Sequence, residues 1–217
     1  MKTLVAIPVK DLGQAKSRLS PVLDASQRAR LVLGLFDRTL HFFRSAFPEF
    51  DVTIVTASVQ LAARAQAAGA QVLRENAATG LNAAVSSAAQ WAIAHDYQRL
   101  MIVPADIPVL LREEVEQMVA LTETYQVAIA EARDGGTNML LMSPPRDIPF
   151  QYGLGSARRH ETVARANGLS AKRRYLPFLG HDLDTPADCL VLSQNMLWQQ
   201  EEEGALLPSH LFGGVAQ

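Results

Sequence analysis

Short apolar runs alternate along this chain with longer stretches in which apolar residues recur at helical spacing. LVAIPV (4–9) is apolar throughout and predicts a fully buried strand. Over 24–46, Val32, Leu35, Phe36, Leu40 and Phe43 fall on one helical face while Arg28, Arg30, Asp37 and Arg44 fall elsewhere, with Asp24 or Ser26 as the cap. DVTIVTA (51–57) predicts a second strand. A short helix over 59–70 follows, stopped by Gly69, and then a third strand, AQVLRE (70–75). An alanine-rich helix over 81–95, a fourth strand RLMIVPAD (99–106) and a helix over 112–123 continue the alternation.

The second half has a different rhythm. YQVAIAEA (125–132) and TNMLLM (137–142) predict strands joined by the turn sequence ARDGG. GSARRHETVARANG (155–168) predicts a helix with Ser156 near its start and Gly168 at its end. KRRYLPF (172–178) and HDLD (181–184) predict short strands. TPADCLVLSQNMLW (185–198) predicts a closing helix with Thr185 as cap and Pro186 at its first position. Strands alternating with helices imply βαβ units and a mostly parallel sheet covered on both faces. Such sheets bind ligands beyond the carboxyl ends of their strands. Two of those ends are IPVKD and VPADIP, where charge follows directly on an apolar run.

Composition narrows the class. The chain has 217 residues, 48% hydrophobic and 19% charged, enough to bury an ordinary core. A formal net charge of −2 argues against wholesale binding to nucleic acid but leaves room for a local basic pocket. The single cysteine, Cys189, excludes an internal disulfide and a multi-cysteine zinc site. No run approaches the ~18 apolar residues of a membrane span. The six-residue apolar run at the N-terminus lacks a small-residue cleavage site, so it reads as a strand rather than a signal peptide.

Five segments carry candidate chemistry. Lys10, Lys16 and Arg18 follow the first strand on a loop with Gly13, and clustered cations suit a polyphosphate. The segment Gly13 to Ser17 ends like a phosphate-binding loop but lacks its first glycine. Asp106, held between Pro104 and Pro108, suits a hard cation such as magnesium. Asp182 and Asp184 stand two apart, so in an extended segment both project to one side. Gly153-Leu154-Gly155-Ser156 opens a helix and suits an anion, with Thr137 and Asn138 on the neighbouring strand. Thr79 and Gly80 precede a helix with Asn82 in its first turn. Each has a structural alternative: a solvated loop, a turn aspartate, a carboxylate cap for the last helix, a plain turn, or an amide cap. His41, His95 and His210 show no zinc-ligand spacing.

IPVKDLGQAKSRLSPVL, GLNAAV, PADIPVL, DGGTNMLLMSPP, YGLGSARRH and HDLDTPADC occur here in that order. Over roughly residues 3–192 the chain resembles the guanylyltransferases of 5-deazaflavin coenzyme biosynthesis, which act on 2-phospho-L-lactate, phosphoenolpyruvate or 3-phospho-D-glycerate. The DGGTN and YGLGS segments are the most specific part. The resemblance implies one α/β nucleotidyltransferase domain of the glycosyltransferase-A-like kind over 1–198; the tail 199–217 falls outside the family pattern and reads either as a loosely held C-terminal tail or as an interface segment. It implies a reaction in which the phosphorylated acid attacks the α-phosphorus of GTP and pyrophosphate leaves. On matching positions, Lys10, Lys16 and Arg18 would hold the triphosphate, with Lys16, Arg18 and Asp106 catalytic. Gly80 and Asn82 would lie near the nucleoside. Asp106, Asp182 and Asp184 would hold Mg2+. Thr137, Asn138, Gly153, Gly155 and Ser156 would form the acid site. The implied partners are GTP, the acid and a downstream transferase that takes the labile product, in a cytoplasmic protein with room for a homodimer and no contact with nucleic acid or membrane.

Three rivals remain. Molybdenum-cofactor and cobinamide guanylyltransferases carry a more glycine-rich first loop than Lys10–Arg18. A non-catalytic nucleotide-binding module has no need of both Asp106 and Asp184. Nucleotide-sugar glycosyltransferases place a D-x-D motif after a central strand, whereas the D-x-D here, Asp182-Leu183-Asp184, comes late.

Overall fold

A computed structural model of the chain describes residues 1–9, 16–75 and 80–193. Seven strands form one sheet: β1 (Thr3–Pro8), β2 (Asp51–Thr56), β3 (Gln71–Arg74), β4 (Arg99–Ile102), β5 (Val127–Glu131), β6 (Thr137–Met142) and β7 (Ala171–Tyr175). Their spatial order is β3-β2-β1-β4-β6-β5-β7. β1, β2, β3 and β4 pair in parallel, as do β5 and β7. β6 runs antiparallel to both neighbours, with Ile102 opposite Leu140 on one side and Ile129 opposite Leu140 on the other. The sheet is therefore mostly parallel with one reversed strand inserted between β4 and β5. The reversal brings the start of β6, Thr137 and Asn138, to the edge where the parallel strands end.

Among the described residues six helices cover the sheet: α1 (Ala25–Ala46), α2 (Val59–Ala67), α3 (Leu81–Ala94), α4 (Arg112–Leu121), α5 (Ser156–Ala166) and α6 (Pro186–Ser193). Asp24 is the cap of α1. Its carboxylate accepts from Gln27 N while the Gln27 side chain accepts from Asp24 N, satisfying two end groups at once. Side chains alternate across the sheet. Val5, Ile7, Ile54, Met101 and Leu141 face Phe36, Leu40 and Phe43 of α1 and Val115 and Met118 of α4. Leu4, Ala6, Leu100, Ile102 and Leu140 face α3, whose Ala84, Ala88, Ala89 and Ala92 let it lie close to the strands. Each fully buried large apolar side chain contributes about 1.5–3 kcal/mol. A third, smaller cluster joins Leu19, Leu23, Leu31, Leu35, Val109, Leu183 and Cys189. It fastens a single 3-10 turn, Ser17–Leu19, and the entry to α6 against the start of α1.

Two expectations need correction, and one element is new. RLMIVPAD is strand only through Ile102; Val103 N still donates to Ala6 O at 3.1 Å, after which the proline at 104 has no N–H to continue the ladder. HDLD forms no strand, because among the described residues no neighbouring strand pairs with it. The 3-10 turn at Ser17–Leu19 was not anticipated from the pattern. Lys10, Gly13, Thr79 and the 199–217 tail lie outside the described residues. Among the described residues no helix is long and apolar enough to cross a membrane.

Candidate active site

Once β4 has left the sheet, the chain turns through Pro104 to Asp106 at the carboxyl edge. Leu183 N donates to Asp106 O at 3.3 Å, which sets the HDLD segment beside it. Leu183 is buried in the small cluster with Leu19 and Cys189. Asp182 and Asp184 flank it, and each can bring a carboxylate oxygen within 4.8 Å of one on Asp106 and on each other. The alternation predicted for an extended segment holds, although burial of Leu183 imposes it rather than strand pairing.

Neither of these carboxylates caps α6. Thr185 does that work, as its place before Pro186 suggests, and Asp188 completes a reciprocal pair by accepting from Thr185 N at 2.7 Å, Thr185 Oγ1 at 2.8 Å and Asp184 N at 3.1 Å. Thr185 Oγ1 in turn accepts from Asp188 N at 3.4 Å. The capping need of α6 is met elsewhere, which leaves the Asp182 and Asp184 side chains for the site.

Lys16 reaches into this cluster. Its backbone is left-handed (φ 57°, ψ 37°), an uncommon conformation for a residue with a side chain, and it precedes the 3-10 turn. Its ammonium donates to Asp106 Oδ2 at 2.8 Å and Asp184 Oδ1 at 2.6 Å. The Lys16 side chain is only 7% exposed against 35% for Asp106 and 38% for Asp184. Burial opposes its charge, but the two carboxylates outweigh burial and hold its pKa up at about 12. Arg18 stays exposed, with Nη1 3.9 Å from Asp184 Oδ2, free to meet a further anion. Asp182 is pushed up to about 6, first by burial and then by the charges of Asp106 and Asp184. Three clustered carboxylates of which one resists ionisation mark a position short of positive charge. Hard oxygen donors in that arrangement fit a divalent cation such as magnesium.

The second group of candidates lies along the same edge. Asn138 is buried, and its Nδ2 donates to Leu179 O at 2.9 Å, tying β6 to the segment that leads into Asp182. Thr137 Oγ1 lies 2.9 Å from Ser156 Oγ and 3.0 Å from His160 Nδ1, all three residues buried. Gly153 (φ 122°) and Gly155 (φ 65°) shape the entry to α5, with Gly155 as its cap residue. Gly135 (φ 80°) packs against that entry so closely that an added Cβ would stand 3.4 Å from Gly155 Cα. Two early amides of α5 are already engaged, Ser156 N by Gly153 O at 3.0 Å and Ala157 N by Gly135 O at 3.1 Å. An anion at this helix start therefore depends on side-chain donors more than on the amides of a bare helix end. Gly80 (φ 99°) is the cap residue of α3. Asn82 does not cap α3; its Oδ1 accepts from Tyr152 N at 2.8 Å and joins that helix to the glycine loop.

Lys16, Arg18, Asp106, Asp182 and Asp184 thus form one group. Asn82, Thr137, Gly153, Gly155 and Ser156 form a second, with Asn138 holding the chain between the two. Two residues absent from the sequence reading support this frame. Glu114, buried in α4, accepts from Phe178 N at 3.0 Å and Leu179 N at 2.7 Å and anchors the loop before Asp182. Nothing separates it in the sequence from an ordinary first-turn glutamate. His160 sits four residues after Ser156, so the helix puts both on one face, and that spacing was the available signal.

The fold is shared with solved nucleotidyltransferase structures. A nucleotidyl transferase from Methanothermobacter superposes with a TM-score of 0.64 at 14% identity, over 88% of this chain and 95% of that one. A Desulfovibrio desulfuricans G20 protein of proposed nucleotide-diphospho-sugar transferase activity superposes with a TM-score of 0.73 at 19% identity, over 98% of this chain and 93% of that one. The chain belongs to the family described as guanylyl transferase, CofC like, whose model matches residues 3–198. It is 40% identical over 194 residues to the 3-phospho-D-glycerate guanylyltransferase of Colwellia psychrerythraea, covering 89% of this chain and 92% of that protein. It is 34% identical to the phosphoenolpyruvate guanylyltransferase of Sphaerobacter thermophilus, covering 87% and 91%.

Proposed function

We propose that this protein transfers GMP from GTP to a phosphorylated three-carbon acid. A phosphate oxygen of the acid attacks the α-phosphorus of GTP. The bond between the α-phosphorus and its bridging oxygen to the β-phosphate breaks, and pyrophosphate leaves. The nucleophile is already an anion, so the step needs no strong general base. Its barrier falls through in-line positioning and neutralisation of charge.

The observation that carries this reading is the Lys16 ammonium set between Asp106 and Asp184 at the carboxyl edge, a cation and a carboxylate cluster on one spot. In this reading Lys16 and Arg18, with Lys10, hold the triphosphate. Asp106, Asp182 and Asp184 hold magnesium, which supplies positive charge to the phosphates when bound. Gly80 and Asn82 lie toward the nucleoside, and Thr137, Gly153, Gly155 and Ser156 receive the acid, with Asn138 holding the strand. 3-Phospho-D-glycerate is the first acid to test, because the Colwellia relative carries that name at 40% identity. The product, a mixed phosphoanhydride, would pass to a downstream transferase in the cytoplasm, in biosynthesis of the deazaflavin coenzyme.

The test is incubation of purified protein with magnesium, GTP and each of 3-phospho-D-glycerate, phosphoenolpyruvate and 2-phospho-L-lactate. Pyrophosphate release and the mass of the guanylylated acid are the readouts. Release with one acid names the substrate. Absence of release with all of them, alongside measured GTP binding, overturns the proposal.

A further inference from the structure

His160 lies outside the carboxylate cluster, yet it is fully buried and both of its ring nitrogens are used. Nε2 sits 3.0 Å from Gln151 N. A backbone N–H can only donate, so Nε2 is the acceptor and the neutral ring carries its proton on Nδ1. Nδ1–H can only donate, so Thr137 Oγ1, at 3.0 Å, accepts. Thr137 Oγ1 and Ser156 Oγ then share one further hydrogen bond at 2.9 Å.

Counting hydrogens makes the consequence plain. The group holds four: one on Gln151 N, one on Nδ1 and one on each hydroxyl. Only three contacts join its members. Among the described residues one hydroxyl hydrogen is therefore left over, whichever way the Thr137–Ser156 contact points. A buried donor without an acceptor is costly unless something supplies one. The Gly153–Gly155 loop runs directly into Ser156, and the start of β6 lies at the same edge as Asp106.

We propose that His160 is a positioning residue for the acid substrate: its fixed tautomer makes the Thr137–Ser156 pair a net hydrogen donor that receives an oxyanion of the phosphorylated acid. The inference rests on the function proposed above for the choice of ligand, while the tautomer stands independently of it. The surroundings keep the ring neutral. Phe150 and Tyr152 pack against it edge to face, with ring centroids 6.4 and 4.7 Å away. Burial and, after it, the Arg159 charge hold its pKa down at about 4. A protonated ring would turn Nε2–H against Gln151 N–H and break the polarity of the chain of bonds.

Two substitutions and one spectrum test this. Phe at position 160 removes both ring contacts, whereas Asn keeps a donor where Nδ1 stands. His160→Phe is expected to raise KM for the acid by about tenfold or more, the scale of one lost hydrogen bond to a charged group, with KM for GTP within about twofold. His160→Asn is expected to return the acid KM to within about threefold of the unsubstituted protein. Nitrogen-15 NMR of the unsubstituted protein is expected to show the Nδ1–H tautomer, unchanged from pH 8 down to pH 5.5. An unchanged acid KM in His160→Phe overturns the proposal. So does a parallel rise in both KM values, a failure of Asn to rescue, an Nε2–H tautomer or a titration near the ordinary histidine value. If His160→Phe does not fold, the tautomer decides. If the unsubstituted protein turns over none of the acids, the function reading fails while the NMR result still judges the relay.

Discussion

Replacing Lys16 by Met separates the two things its ammonium does. The apolar stem is kept, and the charge between Asp106 and Asp184 is lost. The pKa of Lys16 stands at about 12 against an ordinary 10.5, which at ~1.36 kcal/mol per unit is worth about 2 kcal/mol of stability, already net of the cost of burying the charge. The sign is that of a raised cation: the contribution is complete below pH 10.5 and is lost as pH rises through 12. Asp106 and Asp184 are 35% and 38% exposed, so solvent screening reduces the expected loss at pH 7 to about 1–2 kcal/mol. For a chain of this length that lowers Tm by about 2–8 °C. The assay is thermal melting at pH 7 in EDTA and again with magnesium added. Without the ammonium, the three carboxylates lose their buried counter-charge among the described residues, so magnesium is expected to raise the Tm of Lys16→Met more than that of the unsubstituted protein. Equal Tm values in EDTA together with equal responses to magnesium would show that Lys16 does not compensate this cluster.

Other substitutions address the rest of the frame. Asp106→Asn is expected to lower kcat by about 100-fold or more, the scale of one lost electrostatic contact to the reacting phosphates, with a near-native circular dichroism spectrum; unchanged kcat removes Asp106 from the chemistry. Asp182, raised to about 6 from 3.8, makes the folded protein lose stability as pH climbs through that window. Asp182→Asn is therefore expected to flatten the dependence of the urea midpoint between pH 4 and 7 in EDTA, and an unaltered slope contradicts the assignment. Gly135→Ala puts a side chain at φ 80° and 3.4 Å from Gly155 Cα, so a loss of about 1–2 kcal/mol and a raised KM for the acid are expected, to be read from melts and steady-state kinetics.

Much of this molecule could be read along the chain because its signals are local. The apolar runs of β1 and β2, the periodic face of α1 and the Thr185-Pro186 start of α6 each lie within a few residues, and the structure contains them all. Lys16, Asp106 and Asp184 were legible as charged residues at or near the ends of apolar runs. That they meet was not: Lys16 lies 90 residues from Asp106 and 168 from Asp184, and only closure of the fold brings them within hydrogen-bonding distance. The HDLD segment shows the boundary most clearly. Its alternation was correctly read, but the reason lies in the burial of Leu183 against Leu19 and Cys189 rather than in a strand. Local pattern says which way side chains point; it cannot say what they pack against.

The reversed strand belongs to the same category. TNMLLM predicts a strand, but its direction depends on the hairpin with β5 and on insertion beside β4. That insertion alone brings Thr137 and Asn138 to the edge where the parallel strands end. His160 and Glu114 were silent for a related reason. A histidine or glutamate in a helix is ordinary in sequence, and its role arises only when burial removes water and leaves Gln151 N, Thr137, Phe178 N and Leu179 N as its partners. The sequence by itself determined the elements and the reactive residue types, since those follow from local periodicity and side-chain chemistry. Tertiary structure decided which of them share one low-dielectric site, since that is a matter of long-range packing.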